Sequence, residues 1–314
     1  MGKLILRRII LTIPMLFLVT LIVFGLTQMI PGDPAVTLAG ESASLEQINE
    51  IREKLGFNDP TIVQYGHLVG DLVTGDLGTS LYSTQRVTDA VTERLPITLG
   101  LAAIALLLVV VIGVAFGLLA GSRPGSVLDR ILTFVAALGV AAPGYWIGMI
   151  LVIVVALNWE FLPATGFVPF GEDPILWLKH LLMPAFALAL AGIVEVTRQL
   201  RGALRDTMQQ DYIRTARSKG MRGRTVILKH ALKNAAIPVI TVIGLQVNVL
   251  LGGAVAIEQV FGINGLGSLA VKSVRDRDVT MIQGIVLVSV IVVTVTNLLV
   301  DLAYGYLNPK VRAR

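Results

Sequence analysis

Six stretches of mostly apolar residues constrain this chain more than any other feature in it. Each approaches or exceeds the roughly 20 residues that an α-helix needs to cross a hydrocarbon layer about 30 Å thick. They run approximately from Ile9 to Ile30, Ile97 to Ala120, Ile131 to Leu157, Leu181 to Thr197, Ile237 to Ile257 and Met281 to Tyr304. No water satisfies a peptide group inside lipid, so such segments must close their hydrogen bonds internally as helices. The composition agrees, with 54% hydrophobic and only 15% charged residues, too apolar for an ordinary soluble domain. The expected fold class is therefore all-α and integral to the membrane, with six transmembrane helices. The first stretch follows Lys3, Arg7 and Arg8, as a signal peptide would. It is too long for a signal-peptide core and ends in Pro31-Gly32-Asp33-Pro34 with no small-residue cleavage site, which makes it a retained anchor. The chain has no cysteine, which removes disulfides, thiolate metal sites and cysteine nucleophiles.

Orientation follows from where the basic residues lie. Three stand in the N-terminal tail, two at Arg123 and Arg130, ten between Arg198 and Lys233, and three after Pro309. The stretch from Asn158 to Leu178 has none, and that from Glu258 to Thr280 has three. The positive-inside rule then places both termini, the Arg123 loop and the Arg198 to Lys233 loop in the cytoplasm. It also accounts for the net charge of +5 without a nucleic-acid partner. Alternation puts residues 31–95 outside, as an extracytoplasmic insertion between helices 1 and 2. The expected organisation is a tail and first helix over 1–30, that insertion, a membrane domain over 96–308 carrying a cytoplasmic loop over 198–236, and a cytoplasmic tail over 309–314.

The insertion holds structure of its own. Ser44 and Gln47 have the spacing of a capping box, Leu45, Ile48, Ile51 and Leu55 follow at helical spacing, and Gly56 is a natural stop. A second helix is expected near Val87 to Arg94. Ten acidic against four basic residues make the segment a candidate partner surface or simply a solvated face.

The loop segment DYIRTARSKGMRGRTVILKHALKNAAIP, Asp211 to Pro238, is basic yet regularly patterned. Asp211 can cap a short helix, Ile213, Ala216 and Met221 share a face, and Gly220 permits the left-handed turn that ends it. Roughly nine residues make a rod of about 14 Å. Thr225 can then cap a second helix over Val226 to Ala236. Two readings fit this pattern: an interfacial helix lying on anionic lipid, or a short rigid lever for a partner protein.

Resemblance separates the two. The loop is similar to the EAA motif of ABC importer permeases, in the form found in the dipeptide/oligopeptide/nickel permease family. Arg214, Thr215, Ala216 and Gly220 occupy the motif positions, with Arg214 in place of the usual acidic residue and Lys233 where many permeases carry proline. Pro31-Gly32-Asp33-Pro34, Gly75 to Ser80, Arg94-Leu95-Pro96, Glu258 to Phe261, Gly265-Leu266-Gly267, Arg277-Asp278 and Asp301 to Pro309 also resemble the family, in its order and spacing. The resemblance implies a type I ABC importer permease fold in a bacterial or archaeal plasma (inner) membrane. It implies an ATPase-docking coupling helix carrying Asp211, Arg214, Thr215, Ala216 and Gly220. Implied partners are a second homologous permease, two nucleotide-binding ATPase subunits and an extracytoplasmic substrate-binding protein, besides membrane lipid. ATP and Mg belong to the ATPase subunits; the only Gly-Lys pair here is Gly2-Lys3, followed by Leu4, so no P-loop is present. Peptides are the implied cargo, with nickel or another small solute as alternatives. No catalytic, cofactor-binding or metal-binding residue is expected.

Other residues stand out from the apolar background. Glu195 with Arg198 three residues on, and Asp301 with a loop arginine, are candidate ion pairs near the inner ends of their spans. Gln246, Asn248 and Asn297 either line a polar pathway or join helices. Gly113, Gly117 and Gly121 repeat at four-residue intervals, as do Gly144 and Gly148, the spacing of close helix contact. Pro143 and Pro184 can kink their helices or simply be tolerated by packing. His67, His180 and His230 have no metal-ligand spacing, and Trp146, Trp159 and Trp177 suit interfacial or packing positions. A secondary transporter, the alternative from another class, would show internal repeats or broken helices around a midplane charge.

Overall fold

In the computed structural model, residues 2–29, 33–39, 43–54, 56–80, 82–83 and 85–307 are described, apart from the side chains of 2–9, 34, 37, 137–138, 140–141, 301 and 303–307. Helices α1 (Gly2–Gln28), α2 (Pro34–Ala39), α3 (Leu45–Lys54) and α4 (Thr61–Thr74) come first. The start of α3 matches the expected capping box, with Ser44 N donating to Gln47 Oε1 at 2.9 Å and Gln47 N to Ser44 Oγ at 3.3 Å. Gly56 turns the chain with φ +67°. Helix α5 spans Val87–Ser122, so the separate helix expected near Val87 to Arg94 is the beginning of the second apolar helix.

The third apolar stretch is not one helix. It consists of α6 (Val127–Ala141) and α7 (Gly144–Leu151), the latter continuing as a π-helical turn over Val152–Asn158. Between them Ala142 and Pro143 are extended, at φ −97°, ψ 129° and φ −60°, ψ 137°. A proline ring disfavours helical geometry in the residue before it, and hydropathy does not register that clash. Helix α8 runs over Pro174–Thr207, capped by Asp173, whose Oδ1 accepts from Ile175 N and Leu176 N at 2.8 and 3.0 Å. Then follow α9 (Asp211–Ser218), α10 (Gly223–Phe261, with a π-helical turn over Val226–Ala231), α11 (Leu266–Arg275) and α12 (Val279–Leu307). Five helices are long and apolar enough to cross a bilayer among the described residues: Ile10–Gln28, Val87–Ser122, Pro174–Thr207, Gly223–Phe261 and Val279–Val300.

The chain divides into two compact units. In the first, Met1–Pro96 with Leu266–Leu298, a small core joins Val87, Ala90 and Val91 to Leu266, Leu269, Met281 and Ile285. Two segments singled out separately in the sequence meet here, as Ser80 Oγ donates to Asp278 Oδ2 while Asp278 Oδ1 accepts from Met281 N at 3.1 Å. The Gly75 to Ser80 turn thus docks on the start of α12. Gly78 is needed twice, for its φ of +77° and because a Cβ would lie 2.8 Å from Thr280 Cγ2.

The second unit, Ile97–Gly265 with Leu299–Arg314, is organised around α8, which packs on α6, α7 and α10. Its seam with α5 is the glycine repeat seen in the sequence. A Cβ at Gly113, Gly117 or Gly121 would stand 2.9, 2.7 or 3.0 Å from Val196, Leu200 or Leu204. Reciprocally, a Cβ at Gly192 of α8 would meet Val109. Thr197 Oγ1 adds a hydrogen bond to Gly113 O at 3.3 Å. The contact is internal to the chain, and Gly144 and Gly148 behave likewise, lying against Ala187 O and the Phe261 ring.

Charged side chains are also ordered in this unit. Arg201 of α8 clasps Asp129 of α6 through two nitrogens, one of them 2.9 Å from Oδ2, and Gly125 N donates to Oδ2 at 2.9 Å. Glu258, fully buried on α10, accepts from Thr98 Oγ1, and its carboxylate lies so close to Gly265 that any Cβ there would overlap it.

The seam is testable by overpacking. Gly117→Ala is expected to lower stability by about 1–3 kcal/mol in thermal unfolding of the solubilised protein, because Leu200 must retreat. Gly202→Ala, on α8 and facing open space, is expected to be neutral or slightly stabilising.

Candidate docking site

Helix α8 ends at Thr207 with Leu204 and Thr207 buried, and the chain turns through Met208 to Gln210 into α9. Two side chains of α9 face inward: Ile213 is fully buried and Ala216 is 6% exposed. They belong to the same apolar core as Leu204 of α8 and Val226, Ala231 and Ala235 of α10. Asn234 Nδ2 adds a hydrogen bond to Tyr212 Oη at 2.7 Å. A helix of 8 residues has too few internal hydrogen bonds to persist in water unaided. Tertiary burial of its one apolar stripe is what holds it.

The expected residues occupy defined places, with three corrections. Asp211 is the first residue of α9 and not its cap; Gln210 precedes the helix without a side-chain capping bond. The Asp211 carboxylate instead stands 3.5 Å from Arg214 Nη1, both side chains being largely exposed. Thr225 caps nothing either. It lies inside α10, which starts at Gly223 after Arg222, since the chain already has helical geometry there and the expected Val226 to Ala236 helix is the first part of a much longer one. Thr215 is exposed and donates to Asp211 O at 3.0 Å. Gly220 adopts φ +75° and lets Met221 N reach Ala216 O at 3.4 Å, closing the helix as expected. Met221, placed on the inner face by its spacing, is 39% exposed because that turn carries it away.

What remains outward is strongly cationic. Arg214, Arg217, Lys219, Arg222, Arg224, Lys229 and Lys233 are all exposed, with Asp211 the one acidic residue between 211 and 233. A rigid rod presenting this field suits a partner surface lined with carboxylates.

The other singled-out residues are dispersed. Arg198 donates to both Glu195 oxygens at 3.0 and 2.8 Å, the pair expected from their spacing. They border a cavity of about 440 Å³ lined also by Leu132, Ala136, Val194 and Arg201. Gln246 is buried on α10 against Gly192 of α8. Asn248 on α10 and Asn297 on α12 are half-buried. The Asp301 side chain lies outside the described residues. Sequence reasoning passed over the Asp129–Arg201 clasp, although Ser126 three residues before Asp129 has the spacing of a helix start, and Ser126 Oγ does accept from Asp129 N at 3.2 Å.

The described residues form a helical chain with five helices long and apolar enough to cross a bilayer, and comparison with known families gives the class of membrane protein. Residues 113–313 match the model of the binding-protein-dependent transport system inner membrane component, and residues 1–102 match that of the N-terminal part of such membrane components. The chain belongs to this family. It is 39% identical to a putative peptide transport system permease protein of Brucella abortus and 37% identical to the oligopeptide transport system permease protein AppB of Bacillus subtilis. It is 36% identical to the dipeptide transport system permease protein DppB of Escherichia coli. In each case 99% of this chain and 99% of the relative are covered.

If burial of Ile213 holds α9 in place, Ile213→Ala should loosen this helix while leaving the spans inserted. Limited trypsin digestion is expected to cut between Arg214 and Lys219 about tenfold faster than in the parent protein.

Proposed function

We propose that this chain is a permease subunit of an ATP-driven ABC importer for di- or oligopeptides. The observation that carries the proposal is full-length similarity to permeases of peptide, oligopeptide and dipeptide transport systems. On this reading the chain crosses a bacterial or archaeal inner membrane six times, with α6 and α7 together making the third crossing and both termini in the cytoplasm. It pairs with a second homologous permease and two ATPase subunits, which bind ATP and Mg, and receives cargo from an extracytoplasmic binding protein.

Helix α9 is the coupling element. Its exposed face, with Asp211, Arg214 and Thr215, docks on an ATPase subunit, while Ala216 and Gly220 keep it seated and closed. ATP draws the ATPase pair together, α9 moves with it, and the helices joined to α9 open the path outward to the loaded binding protein. Hydrolysis restores the inward-open state. Glu195 and Arg198 serve as an interfacial ion pair, with Asp301 in a similar role. Gln246, Asn248 and Asn297 each join their own helix to a neighbour and do not line the path.

Gly220→Pro fixes φ near −65° where the turn needs +75°. In proteoliposomes holding the complete transporter and its binding protein, this variant is expected to insert normally and to reduce ATP-dependent uptake of labelled di- and tripeptides to background. Full uptake would refute the coupling role of α9. Uptake of nickel instead of peptide by the parent complex would replace the cargo assignment and leave that role intact.

A further inference from the structure

Helix α4 belongs to the stretch between the first two apolar helices, yet its surface is not that of a helix surrounded by water. Its side chains form three stripes at helical spacing. Tyr65, Leu68 and Leu72 face the protein, with Leu68 and Leu72 opposite Val19, Thr20 and Val23 of α1. Gln64, His67, Asp71 and Thr74 make a polar stripe on one flank. Ile62, Val69 and Val73 make an apolar stripe on the other, where Ile62 and Val73 are 81% and 82% exposed.

The contacts with α1 fix which flank points which way. Gln64 of the polar flank meets Gln28, at the end of α1, with Gln28 Nε2 donating to its Oε1 at 3.2 Å. Tyr65 reaches in the opposite direction along α1, its hydroxyl donating to Phe17 O at 3.2 Å and standing 3.0 Å from Thr20 Oγ1. Its ring packs on Phe17 and Phe24 at centroid distances of 5.7 and 5.4 Å. Thr20 lies about 12 Å along the helix from Gln28, nearly halfway through a hydrocarbon layer of about 30 Å. The direction from Gln64 to Tyr65 therefore runs from the membrane surface toward its middle. Ile62, Val69 and Val73 are on that deeper flank.

We propose that α4 is embedded in the outer leaflet, parallel to the membrane plane, with Ile62, Val69 and Val73 in the acyl chains and His67 and Asp71 toward water. Its partner is bilayer lipid. The inference rests on α1 being a membrane span with its C-terminal end outward, and it limits the extracytoplasmic insertion to the residues around α4.

Because the chain has no cysteine, single nitroxide labels can be placed without background changes. They go at Ile62→Cys, Val73→Cys, His67→Cys and Asp71→Cys in the complete transporter, reconstituted in phosphatidylcholine vesicles. Collision with oxygen, which concentrates in lipid, is compared with collision with a water-soluble nickel chelate. The ratio of oxygen to nickel collisions is expected to be about tenfold higher at 62 and 73 than at 67 and 71. Similar, nickel-dominated values at all four sites would place α4 in water and overturn the proposal. Protection of 62 and 73 from both quenchers would show a protein covering that flank, and would overturn it equally. Labels at α1 positions Leu11, Leu18 and Leu26, each exposed, report independently whether α1 spans the bilayer, so failure of that premise is distinguishable.

Discussion

The close approach of α5 to α8 is the constraint on which the rest of the second unit depends. Lipid tails are as apolar as leucine, so helices in a bilayer gain little from hydrophobic burial and associate through dispersion contacts at short range. Glycine at 113, 117 and 121 lets Val196, Leu200 and Leu204 of α8 settle onto the α5 backbone. With α8 held there, its other faces receive α6, α7 and α10. The 34 residues of α8 measure about 51 Å, well beyond one hydrocarbon thickness. Its final turns carry Leu204 to where α9 can bury Ile213 and Ala216.

On the proposed mechanism, this arrangement is how so short a helix transmits force. Helix α9 is tied at one end to α8 through Met208 to Gln210 and at the other to α10 through Lys219 to Arg222. Its buried stripe is part of the core those two long helices share. A push on the exposed cationic face therefore reaches α8 and α10 through close-packed side chains, which transmit strain well. The Asp129–Arg201 clasp carries α6 into the same group.

Much of this was legible in the sequence because local chemistry sets it. The Ser44–Gln47 box, the left-handed turn at Gly220 and the Glu195–Arg198 pair each involve residues within a turn of one another. The glycine repeat announced a close contact, though only the fold shows that α8 fills it. What escaped was set by competition or distance. Thr225 is a good capping residue in a chain that was already helical, and Asp211 lost the cap position to Gln210 by a single residue. The interruption at Ala142 and Pro143 is a backbone clash within a run of unbroken hydropathy. Asp129 with Arg201, and Ser80 with Asp278, are 72 and 198 residues apart, and no spacing rule reaches that far.

The proposed mechanism requires α9 to move as one body with α8. Spin labels at Leu182→Cys on α8 and Ser218→Cys on α9, both exposed sites in a chain free of cysteine, allow the distance between the two helices to be measured by pulsed electron resonance in the complete transporter. One narrow distance, the same without nucleotide and with a non-hydrolysable ATP analogue, is the predicted result. A broad distribution, or a distance that changes with nucleotide, would show α9 to be a mobile tether that does not follow α8.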